Sequence, residues 1–282
     1  MNNELLEKEI SNNINCILLD IDHTLTTDTE EIPNEITEFF TKIKEKYHII
    51  LITGRTNSYA VEKSKICNAS SIVISDNGSV IYNYEKDKVL YSNFFEPNMV
   101  NTIWEISQKY NIDCVLNTVY RRYRNHVYMN EKYLKNNNIG ITSIDELKDN
   151  VTQIVLFSNN ELEYTNCLKD INKLEKIEIC NRGKENDGRY FADLNVAGTS
   201  KGKAITELNK FLNIKKENII CFGDSMNDLS MFEQSGIKVA VKNACKSLKD
   251  IADYITEFSN NENGVVEFLK AFFYKNSWVK NN

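Results

Sequence analysis

Short apolar runs that end in polar side chains recur along this chain and alternate with segments of helical periodicity. Residues 16–21 end in carboxylates, residues 48–52 are followed by Thr-Gly-Arg, and residues 218–222 are followed by Gly-Asp. Runs of this kind predict buried parallel strands, and the apolar face repeated within 35–46 predicts a helix between two of them. The order strand–helix–strand therefore predicts an α/β fold, a Rossmann-like doubly wound parallel sheet whose ligands bind at the carboxyl ends of its strands.

The middle of the chain has a different pattern. Helix-like stretches near 97–110 and 161–174 mix with strand-like stretches at 151–157 and 177–180, separated by charged, Asn-rich loops. This mixture predicts an inserted α+β domain with its own sheet. The predicted division is a polar N-terminal extension at 1–14, an α/β core at 15–83 and 190–282, and the inserted domain at 84–189.

The composition argues against several classes of partner. The 282 residues include 34 Lys and Arg against 40 Asp and Glu, a net charge of −6, whereas nucleic-acid binders usually present a basic surface. No apolar run approaches the roughly 18–20 residues that span a bilayer, and the polar first residues do not resemble a signal peptide. The seven cysteines are scattered without a CxxC pair, which argues against a zinc site and predicts reduced thiols in a cytoplasmic protein.

Two polar segments follow the first two predicted strands. Asp20 and Asp22 form a DxD pair whose carboxyl groups can face one pocket if the chain turns after the strand, although acidic pairs at strand ends are often only caps. Thr53 and Gly54 supply a hydroxyl and exposed amides that can hold phosphate oxygens. A plain Thr N-cap beside a turn glycine explains the second segment equally well.

Two further segments follow the inserted region. Lys201 lies in Gly-Thr-Ser-Lys-Gly at the start of a predicted helix, 203–212, with too few residues between the glycines for a Walker A loop. A lysine at a helix start opposes the helix dipole, which indicates an anionic partner. Asp224, Asn227 and Asp228 follow a buried strand and offer the oxygen ligands of a hard metal ion, or alternatively a polar capping loop.

Taken together, the order DxDxT, a hydroxyl before glycine, lysine and GDxxND resembles the haloacid dehalogenase (HAD) superfamily, and more narrowly the Cof-type phosphatases with a C2-class cap, HAD subfamily IIB. The resemblance covers nearly the whole chain from about residue 15 and includes the Asn77-Gly78 turn. In that family the cap is inserted between the second and third motifs, where 84–189 lies here. The family usually has glycine at the position of His23, so the role of this residue is open.

The resemblance implies roles for the motif residues. Asp20 is expected to be the nucleophile, which is ionised at neutral pH and needs no base, and Asp22 the proton-transferring partner. Mg²⁺ is assigned to the Asp20 carboxylate, the Asp22 backbone carbonyl and the Asp224 carboxylate, with Asp228 orienting metal waters or the lysine. The expected phosphate-binding residues are Thr53, Gly54, Lys201 and Asn227.

The most unusual run in the inserted region is Tyr-Arg-Arg-Tyr-Arg-Asn-His at 120–126. It can recognise the substrate beyond its phosphate, or it can be a solvated charged strand with aromatic packing. Alternate residues of a strand face opposite ways, so only some of them could reach a substrate. The specificity candidates are Arg121, Arg122, Tyr123 and Arg124.

These expectations describe a Mg²⁺-dependent phosphomonoester hydrolase that acts on a small phosphorylated metabolite, a sugar phosphate first of all, through an aspartyl-phosphate. The expected partners exclude nucleic acid, membrane and any obligate protein. A phosphomutase or phosphotransferase of the same superfamily and a non-catalytic phosphometabolite-binding protein are the alternatives. A receiver domain also combines Asp, Lys and Mg²⁺, but it is about half this length and lacks the second aspartate two positions on.

Overall fold

The computed structural model describes residues 13–125, 138–184 and 187–275, and within them the chain divides into two compact units. The first unit takes the described residues up to Arg55, Tyr59–Tyr91 and those from Ser200 onward, and the second takes Thr56–Ser58 and the described residues of Ser92–Thr199. The predicted N-terminal extension lies almost wholly outside the described residues.

The first unit is built on a sheet of eight described strands, six of them parallel and mostly buried. Its order is β14-β13-β12-β1-β2-β3-β4-β5, with β3 and β4 antiparallel, while strands β6–β11 belong to the second unit. The strands are β1 (Cys16–Asp20), β2 (His48–Ile52), β3 (Ile72–Ser75), β4 (Val80–Asn83), β5 (Lys88–Ser92), β12 (Ile219–Gly223), β13 (Ile237–Ala240) and β14 (Tyr254–Ile255).

Helices alternate with these strands. Helix α1 (Asn34–Ile43) places Ile36, Phe39, Phe40 and Ile43 on one buried face, as the sequence predicted for this region. The central strands are buried along almost their whole length, as expected for parallel strands covered on both faces. The prediction of an α/β fold with a parallel sheet is thus confirmed. The helices are α1 (Asn34–Ile43), α2 (Asn57–Ile66), α5 (Lys201–Leu212), α6 (Leu229–Glu233), α7 (Lys246–Lys249) and α8 (Gly264–Lys270), with α3 and α4 in the second unit.

The second unit has its own mostly antiparallel sheet in the order β10-β11-β9-β6-β7-β8, in which β7 and β8 run parallel. Helices α3 (Pro97–Lys109) and α4 (Glu161–Ile171) pack their apolar faces on this sheet, with Trp104 and Leu168 in the buried cluster. The strands are β6 (Asp113–Thr118), β7 (Arg122–Asn125), β8 (Asn138–Ile141), β9 (Val151–Ser158), β10 (Ile177–Lys184) and β11 (Tyr190–Val196).

The main segment of the second unit begins and ends later in the chain than the predicted boundaries of 84 and 189. Strand β5 lies after residue 84 and nevertheless extends the sheet of the first unit, because it is the neighbour of β4. Strand β11 lies after residue 189 and pairs with β9 and β10 of the second sheet. Strand pairing therefore moves both ends of the second unit, to Ser92 and Thr199. No helix in the described part of the chain is long and apolar enough to cross a membrane.

Candidate active site

The carboxyl ends of three neighbouring strands carry the first motif residues to one edge of the first sheet. Asp20 is the last residue of β1 and pairs in register with Ile52, the last residue of β2. Leu19 pairs with Phe222 in β12, so Asp224 follows β12 at the same level. Parallel strands that end together in this way form the edge where open α/β sheets bind their ligands.

A buried lysine joins two aspartates at this edge. The Nζ of Lys201 donates to Asp20 Oδ1 at 2.5 Å and to Asp228 Oδ1 at 2.6 Å, and the Lys201 side chain is fully buried. Lys201 is the first residue of α5, and Ser200 caps that helix by accepting a hydrogen bond from the amide of Lys203. The unfavourable placement of a lysine at a helix start is therefore offset by two carboxylates.

Helix α5 can bring its first turn this close because the next residue is a glycine. Gly202 packs against the main chain of α6, where a Cβ at this position would lie 2.2 Å from the carbonyl oxygen of Ser230. The Gly202 amide also donates to the Ser230 hydroxyl at 3.1 Å. The Lys-Gly pair thus combines the ammonium group with the close helix contact that positions it.

Asp228 is fixed on both of its oxygens. Oδ2 accepts the main-chain amides of Asp224 at 2.9 Å and Ser225 at 3.1 Å, while Oδ1 receives Lys201. Gly223 makes this tight loop possible, since a Cβ there would lie 2.6 Å from the Asp228 carboxyl group. Asp228 therefore orients both the lysine and the main chain that carries Asp224.

The carboxylates outnumber the cation that neutralises them. Burial, and then the negative charges of Asp228 and Asp224, raise the pKa of Asp20 above its usual range even though Lys201 opposes the shift. Burial and Asp228 likewise raise the pKa of Asp224 to about 6. Burial alone would lower the pKa of Lys201, but its two carboxylate partners outweigh it and the pKa is raised.

This charge imbalance fits a divalent cation. Asp20, Asp224 and Asp228 each offer a carboxylate oxygen, and these oxygens lie within 4.8 Å of one another. Three carboxylates against one ammonium leave two negative charges to neutralise, and oxygen donors are the ligands that hard divalent ions prefer. Thr24 adds a hydroxyl that donates to Asp224 Oδ1 at 3.4 Å. The cluster is thus suited to holding one divalent ion.

Asp22, the second aspartate of the DxD pair, has a separate set of partners. Its Oδ1 accepts the Tyr59 hydroxyl at 2.9 Å and lies 2.9 Å from Nη2 of Arg55. Its Oδ2 accepts the Thr53 hydroxyl at 3.4 Å. Burial and then Asp22 raise the pKa of Tyr59, so this residue is a proton donor at neutral pH. Asp22 therefore stands beside the predicted phosphate-binding threonine.

The predicted phosphate-binding segments also meet. Thr53 accepts the amide of Arg55 on its hydroxyl at 3.0 Å, which gives a tight turn after β2. A Cβ on Gly54 would lie 2.8 Å from Asn77 Oδ1, and that same oxygen accepts the Asn227 side-chain amide at 3.4 Å. Asn77 thus connects Gly54 with Asn227. The assignment of Asn227 as a phosphate-binding residue, like those of Thr53, Gly54 and Lys201, stays a prediction.

The specificity candidates of the second unit lie in or beside β7. Arg124 is buried and forms a two-point ion pair with Asp113, and burial nevertheless raises the pKa of that carboxyl. Arg121 and Tyr123 both donate to Asp149 Oδ2, at 3.0 and 2.9 Å. Arg122 is half-buried at the start of the strand. Their part in substrate recognition stays a prediction, and the histidine that ends the run lies outside the described residues.

Two contacts of Asp22 were not anticipated from the sequence. Arg55 follows Thr53-Gly54 directly, so its position in the motif could have indicated a role. Tyr59 lies in α2, far from Asp22 in the chain, and has no local signal. Both reach the carboxyl only because β1 and β2 are neighbours in the sheet.

Comparisons with known proteins agree with this geometry. Residues 17–269 match the family model described as haloacid dehalogenase-like hydrolase. A 5-amino-6-(5-phospho-D-ribitylamino)uracil phosphatase of Bacillus subtilis, YcsE, is 27% identical over 265 residues, which are 91% of this chain and 95% of the relative.

Solved structures share the fold over a similar extent. A haloacid dehalogenase-like hydrolase from Bacteroides thetaiotaomicron superposes with a TM-score of 0.81 at 23% identity, covering 92% of this chain and all of the other. A sugar phosphatase of HAD subclass IIB superposes with a TM-score of 0.72 at 25% identity, covering 92% of this chain and 98% of the other. The chain therefore belongs to the haloacid dehalogenase-like hydrolases, and the prediction of a Cof-type phosphatase of subclass IIB is confirmed.

Proposed function

We propose that this protein is a Mg²⁺-dependent phosphomonoester hydrolase that acts on small phosphorylated metabolites, sugar or polyol phosphates first of all, through an aspartyl-phosphate on Asp20. The main support is the position of the Asp20 carboxylate. It ends a buried strand, receives the Lys201 ammonium at 2.5 Å, and lies in the cluster of three carboxylates. This arrangement offsets the repulsion that an anionic nucleophile meets at an anionic phosphate.

The residues that would hold the metal are the carboxylates of Asp20 and Asp224, together with the main-chain carbonyl of Asp22 that the family resemblance implies. Asp228 would support them through Lys201 and the amide of Asp224. Mg²⁺ supplies positive charge that neutralises the carboxylates and the phosphoryl oxygens. The raised pKa of Asp20 and of Asp224 supports this choice, because burial raises both and the negative charge of Asp228 adds to each shift.

In the first half of the reaction a carboxylate oxygen of Asp20 forms a bond to phosphorus. The bond between phosphorus and the ester oxygen breaks with its electron pair on that oxygen, which takes a proton from Asp22 and leaves as an alcohol. Lys201, Thr53 and the amide of Gly54 stabilise the phosphoryl oxygens during the transfer. Asp20 then carries the phosphoryl group and Asp22 is a carboxylate.

In the second half a water molecule attacks phosphorus and gives a proton to Asp22. The bond between phosphorus and Asp20 breaks with its electron pair returning to the Asp20 carboxylate, and inorganic phosphate is released. Asp22 thus regains the proton that it gave to the alcohol, and the enzyme is restored. One residue therefore serves as the acid and then as the base.

The substrate class rests on the relatives. One is named a phosphatase of a phosphoribitylamino uracil and another a sugar phosphatase, so both names describe phosphate esters of polyhydroxylated carbon chains. We propose the second unit as the C2-class cap that selects the substrate, with Arg122 as a candidate in β7. The scattered free cysteines, five of them buried, support a cytoplasmic location.

The test is a screen of phosphorylated metabolites with Mg²⁺ that compares the wild type with Asp20→Asn. Sugar phosphates, polyol phosphates, nucleotides and pyridoxal phosphate are included, and inorganic phosphate is measured. We expect release from at least one polyol or sugar phosphate by the wild type, and none by Asp20→Asn when its circular dichroism spectrum shows that it is folded. Turnover by Asp20→Asn would overturn the nucleophile. A requirement for a bisphosphate activator, with isomerisation instead of release, would identify a phosphomutase.

A further inference from the structure

We propose that Tyr59 is a positioning residue for the proton-transferring carboxyl group of Asp22, and that it assigns different tasks to the two oxygens of that group. This inference rests on the proposed function, because it concerns how the proposed acid and base is held. Tyr59 lies outside the motifs that the family resemblance uses, and it is the third residue of α2.

The hydrogen bonds of Asp22 are unequal. Oδ1 accepts the Tyr59 hydroxyl at 2.9 Å and forms an ion pair with Nη2 of Arg55, also at 2.9 Å, so two groups hold it. Among the described residues, Oδ2 has one hydrogen-bond partner, the Thr53 hydroxyl, at a long 3.4 Å. A hydrogen bond and an ion pair, both at 2.9 Å, hold one oxygen, and a single weak hydrogen bond holds the other, which leaves Oδ2 as the oxygen that is available for proton exchange.

Tyr59 and Arg55 are themselves held in place. The guanidinium group of Arg55 stacks over the Tyr59 ring at 4.6 Å and donates to Glu30 Oε1 at 2.6 Å. Lys63, one turn further along α2, lies 5.1 Å from the same ring and donates to the main-chain oxygen of Glu30 at 2.6 Å. Two cations on one ring and a shared anchor at Glu30 restrict the motion of the phenol.

This arrangement gives the proton a defined position. Oδ2 lies on the side of Thr53, the predicted phosphate-binding hydroxyl, so a proton on Oδ2 is directed to the ester oxygen that leaves. In the second half of the reaction the same oxygen receives the proton of the attacking water. Tyr59 exchanges no proton in either half, and it acts through the orientation of the carboxyl group.

The experiment compares Tyr59→Phe with the wild type on two substrates that differ in leaving group. A sugar or polyol phosphate found in the screen needs a proton on its departing alkoxide, whereas p-nitrophenyl phosphate releases a stable anion. The kcat/KM value reports the steps up to departure of the alcohol, so it isolates the acid role of Asp22. We expect kcat/KM to fall about 10–100-fold for the alkyl phosphate, and less than about threefold for p-nitrophenyl phosphate.

The matched control is Tyr84→Phe. Tyr84 is another half-buried tyrosine of the first unit, and its hydroxyl is 3.4 Å from the Ser64 hydroxyl and not bonded to Asp22. We expect the kcat/KM values of Tyr84→Phe for both substrates to equal those of the wild type. The ratio of the two kcat/KM values is independent of how much of a preparation is folded, so a stability defect in Tyr59→Phe does not hide the result.

A double variant tests whether Tyr59 acts through Asp22. In the Asp22→Asn background the phenylalanine substitution should cause no further loss on the alkyl phosphate. Equal losses of kcat/KM on both substrates, or a full further loss in the Asp22→Asn background, would overturn the inference. The proposed function would still stand in that case, provided that Asp20→Asn is inactive. Turnover by Asp20→Asn would instead refute the proposed function, whatever Tyr59→Phe does.

Discussion

Replacement of Asp228 with asparagine removes the charge of this buried carboxyl group and nearly keeps its size and shape. Oδ1 receives the Lys201 ammonium at 2.6 Å, and Oδ2 receives the amides of Asp224 and Ser225. Asparagine has one acceptor oxygen, so its NH₂ group must face either the ammonium or the two amides. Each orientation sets donors against donors at a fully buried position.

The magnitude follows from competing charges. The attraction between Asp228 and Lys201 at 2.6 Å is about 6 kcal/mol at an effective dielectric of 20. The repulsion of Asp228 from Asp20 and from Asp224, over no more than 4.8 Å, is at least about 3.5 kcal/mol each on the same scale. These Coulomb contributions nearly cancel in the absence of a cation. What remains is the lost charge-assisted hydrogen bond, which lowers the free energy of unfolding by about 1.5–3 kcal/mol.

The assay is urea unfolding followed by circular dichroism, in EDTA and in saturating MgCl₂. Bound Mg²⁺ relieves the repulsion between the carboxylates, so the loss in Asp228→Asn should be larger with Mg²⁺ than in EDTA. Asp253→Asn is the matched control, since Asp253 accepts the Lys238 amide at 2.9 Å and lies 3.5 Å from its Nζ but is 30% exposed. The control should lose less than about 1 kcal/mol. A loss in Asp228→Asn no greater than in Asp253→Asn, or one that shrinks with Mg²⁺, would refute the reasoning.

Two further predictions concern pH and the second unit. In EDTA, stability should fall as pH rises from about 4 to 6, because the pKa of Asp224 is raised from 3.8 to about 6 and the native state keeps a proton that the unfolded chain has released. The melting temperature of the wild type relative to Asp224→Asn measures this, and a difference that is flat across that range would contradict it. Arg124→Met should lower the free energy of unfolding by about 3–5 kcal/mol, because it leaves the buried Asp113 carboxylate unpaired. Arg121→Ala removes an ion pair whose arginine is half-exposed and should cost less than about 1 kcal/mol by the same urea titration, so equal losses would contradict the burial argument.

The sequence was most informative where periodicity and burial agree. The apolar run 48–52 is β2 to the residue, and 151–157 is β9 with one residue more. The helix predicted at 35–46 ends earlier, at Ile43, because its apolar spacing defines the buried face but not its end. Local sequence patterns did not predict which strands pair with each other. The parallel pairing of β7 with β8 and the addition of β5 to the first sheet depend on residues far apart in the chain.

Some contacts of the candidate active site could likewise be predicted from the sequence, and others could not. Strand ends and residue types were sufficient to predict that Asp20 and Asp224 would come together, because parallel strands end at one edge, and the family resemblance placed Lys201 with them. The contacts of Asp22 with Tyr59 and Arg55 were not predictable, since a tyrosine on a helix has no signal that distinguishes a ligand from a packing residue. The same limit applies to the second unit, where Arg124 donates to the buried carboxylate of Asp113, and no spacing rule in the sequence connects these two residues.

His23 shows how backbone conformation can explain a departure from a family pattern. Its φ of 56° lies in the left-handed region, which costs an ordinary residue about 1–2 kcal/mol and glycine almost nothing. The main-chain oxygen of His23 accepts the Asn243 side-chain amide at 2.7 Å, and its side chain is 58% exposed, with Nδ1 3.3 Å from Asp28. These contacts offset part of the backbone cost. The glycine usual at this position is therefore explained by a turn between Asp22 and Thr24, which a histidine can also make when its ring points to solvent.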